Sequence, residues 1–130
     1  MKAQGILCVA YDGTSLHRCR FSKSLLEELV LALIQLVPMG RVTTYSSIAR
    51  LLNIHPRSVA QILRKNRKPV IYPCHRVVRS NGHIGGYTLR GRRADNIKRK
   101  LLILEGIPLV NDSVPPRYVL NITKWLLEDG

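Results

Sequence analysis

The stretch "GRVTTYSSIARLLNIHPRSVAQILRKN", residues 40–66, decides the fold. Thr44 suits a helix N-cap, because its hydroxyl can accept from a free backbone N–H in the first turn. A helix is expected from Tyr45 to Leu52. Asn53, Ile54 and His55 form a short break. Pro56 suits the first turn of a second helix, where a missing N–H costs nothing, and that helix runs to about Lys65. Ile48, Ala49, Leu52, Val59, Ile62 and Leu63 recur at helical spacing and give both helices a shared apolar face. Two short helices across a tight turn make a helix-turn-helix. The second helix carries Arg57, Arg64 and Lys65. Such units also occur as plain packing elements, so the motif alone leaves DNA binding and a structural role both open.

Charge favours the first. The chain has 130 residues and a formal net charge of +13. A domain this basic fits a polyanion, with nucleic acid the first candidate and a solvated basic surface the alternative. With 45% hydrophobic residues the chain can bury a real core, as one domain or one domain with a small appendage. The most apolar run, Leu25 to Val37, contains Glu27, Glu28 and Gln35, and is too short and polar to cross a bilayer. The N-terminus lacks the pattern of a secretory signal. A cytoplasmic location and no membrane partner are expected.

Residues 6–21, "ILCVAYDGTSLHRCRF", read as a hairpin around Asp12-Gly13, a strong turn pair. Ser22 to Val37 reads as a helix capped by Ser22 or Ser24 and stopped by Pro38-Met39-Gly40. "RVVRSNGHIGGY", residues 76–87, reads as a strand, an Asn81-Gly82 turn and a return strand. Residues 88–100 are dense in arginine and lysine. They read as a basic loop entering a helix from about Asp95 to Glu105, ended by Gly106 and Pro108. A final helix is expected within Val119 to Leu127, docked by Trp125 and the leucines. The three cysteines, Cys8, Cys19 and Cys74, are too few for a disulfide scaffold. Cys8 and Cys19 lie on opposite arms of the expected hairpin and would pair if the register allows. A reducing cytoplasm puts two free thiols slightly ahead.

"VIYPCHRVV", residues 70–78, carries the chemistry. Adjacent Cys74 and His75 do not easily ligate one ion, and no Cys-x-x-Cys or His-x-x-x-His lies nearby, so no metal is expected there; His17 beside Cys8 and Cys19 is the one weak alternative. A buried filler is the usual reading of a lone cysteine. Three neighbours argue for a nucleophile instead. Pro73 suits the opening of a helical turn, and thiolates are favoured at helix starts and beside cationic groups. Arg76 is such a group. His75 can take a thiol proton, directly or through water.

The segments "GRVTTYSSIA", "PRSVAQILRKN", "PVIYPCHRVV", "NGHIGGY" and "KLLILEG" follow one another at characteristic spacing. Together they closely resemble the DNA-binding, active-site domain of the O6-alkylguanine-DNA alkyltransferases, over about Phe21 to Leu109. The resemblance implies a mainly α fold with small β elements, a winged-helix-like helix-turn-helix domain over residues 22–110. It makes 1–21 the hairpin remnant of a reduced N-terminal domain, and 111–130 a C-terminal extension.

The resemblance also implies a mechanism. The helix-turn-helix enters the minor groove and the damaged guanine is flipped into a pocket. Cys74 matches the alkyl acceptor. His75 matches the histidine that deprotonates it through a water, and Glu105 the glutamate that orients this histidine and favours its charged form. Asn66 matches a hinge asparagine that fixes the backbone. Tyr45 matches a tyrosine that aids flipping and donates to the departing guanine. Arg57 matches an arginine finger that fills the vacated stack. Thr44, Ser46, Pro56, Ser58 and Ala60 fall at the family's DNA-facing positions. The backbone of Cys74 and Val77 would read the guanine edge. Tyr87 and Thr88 would close the pocket, with a hydrogen bond to the guanine oxygen. Leu63 and Pro69 would form its apolar wall. The implied partner is double-stranded DNA containing O6-alkylguanine, met by a monomer that needs no cofactor. An alkyltransferase-like module that binds damage without transfer, and a plain helix-turn-helix regulator, are the alternatives.

Three departures stand out. Only about 20 residues precede the first helix, where family members carry a sizeable domain. That leaves room for a partner protein in its place. "TLRGRRADNIKRK", residues 88–100, is longer than the family's glycine-rich turn, and Glu105 is assigned through this insertion. Tyr72 replaces a usually aliphatic residue.

Overall fold

The computed structural model describes residues 8–127. Helix α1 spans Lys23–Ile34, with the Ser22 hydroxyl accepting from the Leu25 N–H at 3.1 Å. It stops short of Val37. Gln35, Leu36 and Val37 tighten onto the carbonyls of Ala32, Leu33 and Ile34 ahead of Pro38.

Helix α2 spans Tyr45–Leu52 and α3 spans Pro56–Arg64. The Thr44 hydroxyl accepts from the Ser47 N–H at 3.1 Å and starts α2. Asn53 ends it in the left-handed region at φ 58°, where asparagine is tolerated. His55 caps α3, its Nδ1 accepting from the Arg57 N–H at 3.1 Å. α1, α2 and α3 pool Val30, Ile34, Ile48, Leu52, Val59 and Leu63 into one buried cluster, which Cys74, Val77 and Tyr87 join. Burying each large aliphatic contributes about 1.5–3 kcal/mol. The cysteine turn is therefore fastened to the same core that fixes the helix-turn-helix.

Strand β3, Thr43–Thr44, pairs in parallel with β4, Val77–Val78. This ladder ties the start of α2 to the end of the cysteine turn. The Asn81-Gly82 turn forms, with the Arg79 N–H donating to the His83 carbonyl at 2.9 Å. The expected return strand does not. β4 already pairs with β3, and the chain beyond the turn bonds residues 112–114 instead. The Ile84 N–H donates to the Asp112 carbonyl at 2.9 Å and the Val114 N–H to the Gly82 carbonyl at 2.8 Å. Val78, Ile84 and Val114 thereby enter a second buried cluster with Val42, Leu102 and Ile107. A Cβ on Gly82 would lie 2.9 Å from the Val114 oxygen, so this crossing needs glycine.

Residues 88–93 form a hairpin rather than an open loop. β5, Thr88–Leu89, pairs antiparallel with β6, Arg92–Arg93. Arg90 and Gly91 both have positive φ, 50° and 79°, as a tight two-residue hairpin turn requires. α4 follows over Asp95–Leu104. The last helix, α5, spans Ile122–Leu127. It does not dock by Trp125, which is exposed. Its first turn is anchored polarly on α2: the Ser47 hydroxyl accepts from the Ile122 N–H at 2.9 Å, and the Thr123 hydroxyl donates to the Ser47 carbonyl at 2.6 Å. Ile122 is fully buried, and Leu126, one turn further on, packs half-buried against the same core, so the expected docking by leucine holds there.

The N-terminal hairpin pairs β1, Val9–Tyr11, with β2, Leu16–Arg18. Its expected first residues, 6 and 7, lie outside the described part. The register sets Val9 against Arg18, so Cys8 and Cys19 fall opposite each other and form a disulfide, with Cα atoms 5.2 Å apart. The expectation of two free thiols is overturned by this register. Among the described residues no helix is long and apolar enough to cross a membrane.

Candidate active site

Pro73 precedes a single 3₁₀ turn, Cys74–Arg76. Asn66 holds the approach to it. Its Nδ2 donates to the Tyr72 carbonyl at 2.8 Å, and its Oδ1 accepts from the Lys68 N–H at 3.0 Å. Between these two bonds Val70 is held at φ 76°, a region that β-branched residues avoid. Cys74 is a free thiol, 6% exposed, in the wall of a cavity of about 730 Å³. α3 supplies one wall through Pro56, Arg57, Ala60, Leu63 and Arg64; the segment from Gly85 through Thr88 supplies the opposite one, with Gly91 and Arg93 beyond it.

The two residues after the cysteine, His75 and Arg76, converge on one carboxylate, Glu105. The His75 side chain has no exposure, and its Nε2 is 3.1 Å from Oε2 of Glu105. That approach is close but poorly aligned, and neither ring nitrogen has an aligned hydrogen-bond partner in the protein. Arg76 grips the same carboxylate, with Nη2 2.6 Å from Oε2 and Nε 3.0 Å from Oε1, while its Nη1 donates to the Val37 carbonyl at 2.9 Å. Burial holds the His75 pKa below the ordinary histidine value, and Arg76 and Lys98 push the same way; Glu105 opposes them without winning. Glu105 thus favours the charged form of the ring, as the resemblance implies, while burial disfavours it more strongly. Burial alone would raise Glu105, but the hydrogen bonds from Arg76 and the close approach of His75 outweigh it and keep the carboxyl low.

Two tyrosines face the thiol. Burial, and then the neighbouring Cys74, push the Tyr45 pKa up to about 12, so its phenol stays a proton donor. Tyr87 is raised by burial, by the neighbouring Cys74 and by the approach of its hydroxyl to that sulfur, though the hydroxyl has no well-aligned partner in the protein. Its backbone is pinned on both sides: the N–H donates to Oδ1 of Asp95 at 2.9 Å, and the carbonyl accepts from the Ala94 N–H at 2.7 Å. Arg93 and then the Tyr87 N–H hold the Asp95 carboxyl down at about 2.

The sequence reading missed Lys98 and the role of Arg76. Lys98 is fully buried on α4. Its Nζ donates to the Val77 carbonyl at 2.8 Å, lies 3.5 Å from the Gly86 carbonyl, and stands 5.9 Å from the centroid of the Tyr45 ring. Burial lowers its pKa to about 8. The signal was available, since Lys98, Leu102 and Glu105 fall four and seven residues apart on one inward face of α4. A lysine in that stripe must be buried with partners.

The remaining expected residues divide. Pro56, Arg57, Ala60, Leu63 and Thr88 line the cavity with Tyr45 and Tyr87. Pro69 is half-buried and does not line it. Thr44 is buried, and its hydroxyl caps α2. Ser46 sits beside it, 3.3 Å from that hydroxyl, and Ser58 is half-buried on α3. The backbone groups assigned to reading a base are already engaged. The Cys74 N–H donates to the Tyr72 carbonyl at 2.7 Å, the Val77 N–H to the Cys74 carbonyl, and the Val77 carbonyl accepts from Lys98. Each carbonyl keeps one lone pair.

Fold and site together define a helix-turn-helix protein whose second helix walls a cavity around a free cysteine backed by a histidine and a glutamate. The chain belongs to the family described as "6-O-methylguanine DNA methyltransferase, DNA binding domain", which matches residues 26–107. It is 44% identical over 89 residues to a methylated-DNA–protein-cysteine methyltransferase of Archaeoglobus fulgidus, covering 67% of this chain and 56% of that one. It is 47% identical over 77 residues to the protein of that name in Methanopyrus kandleri, covering 59% and 55%. The chain thus spans about half the length of the curated relatives it matches. Among solved structures, the O6-methylguanine-DNA methyltransferase of Pyrococcus kodakaraensis superposes with TM-score 0.54 at 36% identity, covering 62% of this chain and 46% of that one. Atl1 of S. pombe, solved with damaged DNA containing O6-carboxymethylguanine, superposes with TM-score 0.64 at 22% identity. That likeness in fold covers 77% of this chain and 98% of Atl1.

Proposed function

We propose that this chain removes the alkyl group from O6-alkylguanine in duplex DNA and keeps it on Cys74. The reading is supported most directly by one observation: a free thiol lies in the cavity wall, and the residue next to it, His75, approaches Glu105 at 3.1 Å.

In this reading α3 enters the minor groove, the damaged nucleotide turns out of the stack into the cavity, and Arg57 at the cavity rim takes its place. The neutral His75 accepts the Cys74 proton through a water, and Glu105 with Arg76 stabilises the imidazolium that forms. The thiolate sulfur attacks the alkyl carbon. A sulfur–carbon bond forms, the carbon–O6 bond breaks, and its electron pair leaves with the guanine. Tyr45 donates to that guanine and is reprotonated through solvent from His75, so the proton count closes. The orphaned Tyr87 hydroxyl and the Thr88 side chain serve the guanine oxygen. The thioether is stable, so each molecule acts once. Neither cofactor nor metal enters the chemistry. Residues 22–110 form the working unit of a monomer that acts on DNA inside the cell, with 1–21 and 111–130 as accessory segments.

Incubation with duplex DNA carrying O6-methylguanine, followed by intact-mass and peptide mapping, tests this. The expected result is one methyl group per molecule, on Cys74, and none on Cys74→Ala. Selective binding of damaged DNA with no mass change would replace transfer with damage binding alone. Equal affinity for damaged and undamaged duplex, without transfer, would remove both.

A further inference from the structure

The β5–β6 hairpin carries Arg90, Arg92 and Arg93 within four residues, all exposed. Arg93 pairs with Asp95, its Nη2 2.7 Å from Oδ2. Among the described residues no acidic side chain pairs with Arg90 or Arg92. Like charges crowded on one small hairpin repel one another, and Asp95 offsets only the charge of Arg93. The hairpin is nevertheless firmly held. Leu89 packs against the main core, and the Ala94 to Tyr87 hydrogen bond and Asp95 extend the ladder at its base. Thr88 and Arg93, directly paired, face the cavity, whereas Arg90 stands at the tip and Arg92 on the other face.

We propose that this hairpin is a second DNA-gripping element, in which Arg90 and Arg92 contact phosphates of the duplex beside the nucleotide entering the cavity. The inference rests on the DNA-repair reading and adds a contact to it. The reason is placement. The cavity has α3 as one wall and the hairpin's Thr88, Gly91 and Arg93 in the other. A duplex docked on α3 with one nucleotide in the cavity must carry its backbone past the hairpin. Arginine forks suit phosphate oxygens, and a stiff two-residue turn presents them without ordering a loop on binding.

The test is the salt dependence of binding to undamaged duplex, which requires no alkyl transfer and so reads out even if the transfer reading fails. The variant is Arg90→Asn with Arg92→Gln; asparagine suits the left-handed turn position, and a thermal melt verifies the fold. The plot of log affinity against log salt should be shallower by about 2, since each phosphate contact contributes about 0.9 to the slope. Arg18→Gln with Arg20→Gln, which removes the same charge from the N-terminal hairpin, should leave the slope in place. An unchanged slope in the first variant, or an equal loss in both, would overturn the proposal.

Discussion

Lys98 donates from Nζ to the carbonyl oxygen of Val77 at 2.8 Å, and no part of this lysine reaches solvent. The bond joins α4 to the end of the cysteine turn. Burial holds Lys98 at about 8, well below its value in the unfolded chain. Between those two values the unfolded chain binds more protons than the folded one, so stability rises with pH. Tyr45, held up at about 12, acts in the opposite direction above the ordinary tyrosine value. Denaturant unfolding should therefore show stability climbing from pH 8 to 10, by up to about 3 kcal/mol. Lys98→Met should flatten that climb; a climb of the same size in the variant would show that another group causes it.

Burial, which lowers the His75 pKa, sets the expected acid limb of the proposed transfer. The folded pKa of this histidine lies below the ordinary 6.5, so proton acceptance is retained through neutrality and lost only as pH falls below that value. The rate of Cys74 with free O6-benzylguanine should fall with a midpoint below 6.5. Stability from this group, fully present above 6.5, should decline over the same acid range. A midpoint above 6.5 would mean that Glu105, not burial, dominates.

Glu105→Gln leaves Arg76 without its anionic partner and His75 without stabilisation of its charged form. Breaking a largely buried pair from one side costs about 3 kcal/mol. Chemical denaturation should show a loss of that order, and the alkylation rate should drop more than tenfold. Arg76→Lys should recover part of neither, because lysine lacks the fork that spans both carboxylate oxygens.

Arg57 lies at the cavity rim and makes no ion pair among the described residues. Arg57→Ala should slow repair of duplex DNA much more than reaction with free O6-benzylguanine, as parallel rate measurements would show. Equal loss on both substrates would place Arg57 in the chemistry instead of in the exchange with the flipped base.

Local rules made much of this protein readable. Thr44 as a cap, the asparagine break and Pro56 at a helix start are short-range hydrogen-bonding and steric preferences, and they place α2 and α3 within a residue. Asp12-Gly13 located the first hairpin for the same reason. The cysteine, histidine and hinge asparagine were legible because they lie within a single stretch of chain. Glu105 was reached across an insertion of uncertain length, and its approach to His75 depends on how α4 is set against the turn.

By itself the sequence determined the helix-turn-helix, the basic charge and the residues of the cysteine turn, since these follow from spacing and composition. Tertiary structure alone decided the rest. It chose β3 as the partner of β4, buried Lys98, anchored the first turn of α5 polarly on Ser47 and folded residues 88–93 into a hairpin. It also lowered the His75 pKa, because the balance between burial and the Glu105 charge depends on what covers the ring. Backbone pairing between distant segments and the desolvation of a charge are properties of the packed molecule, and no local pattern specifies either.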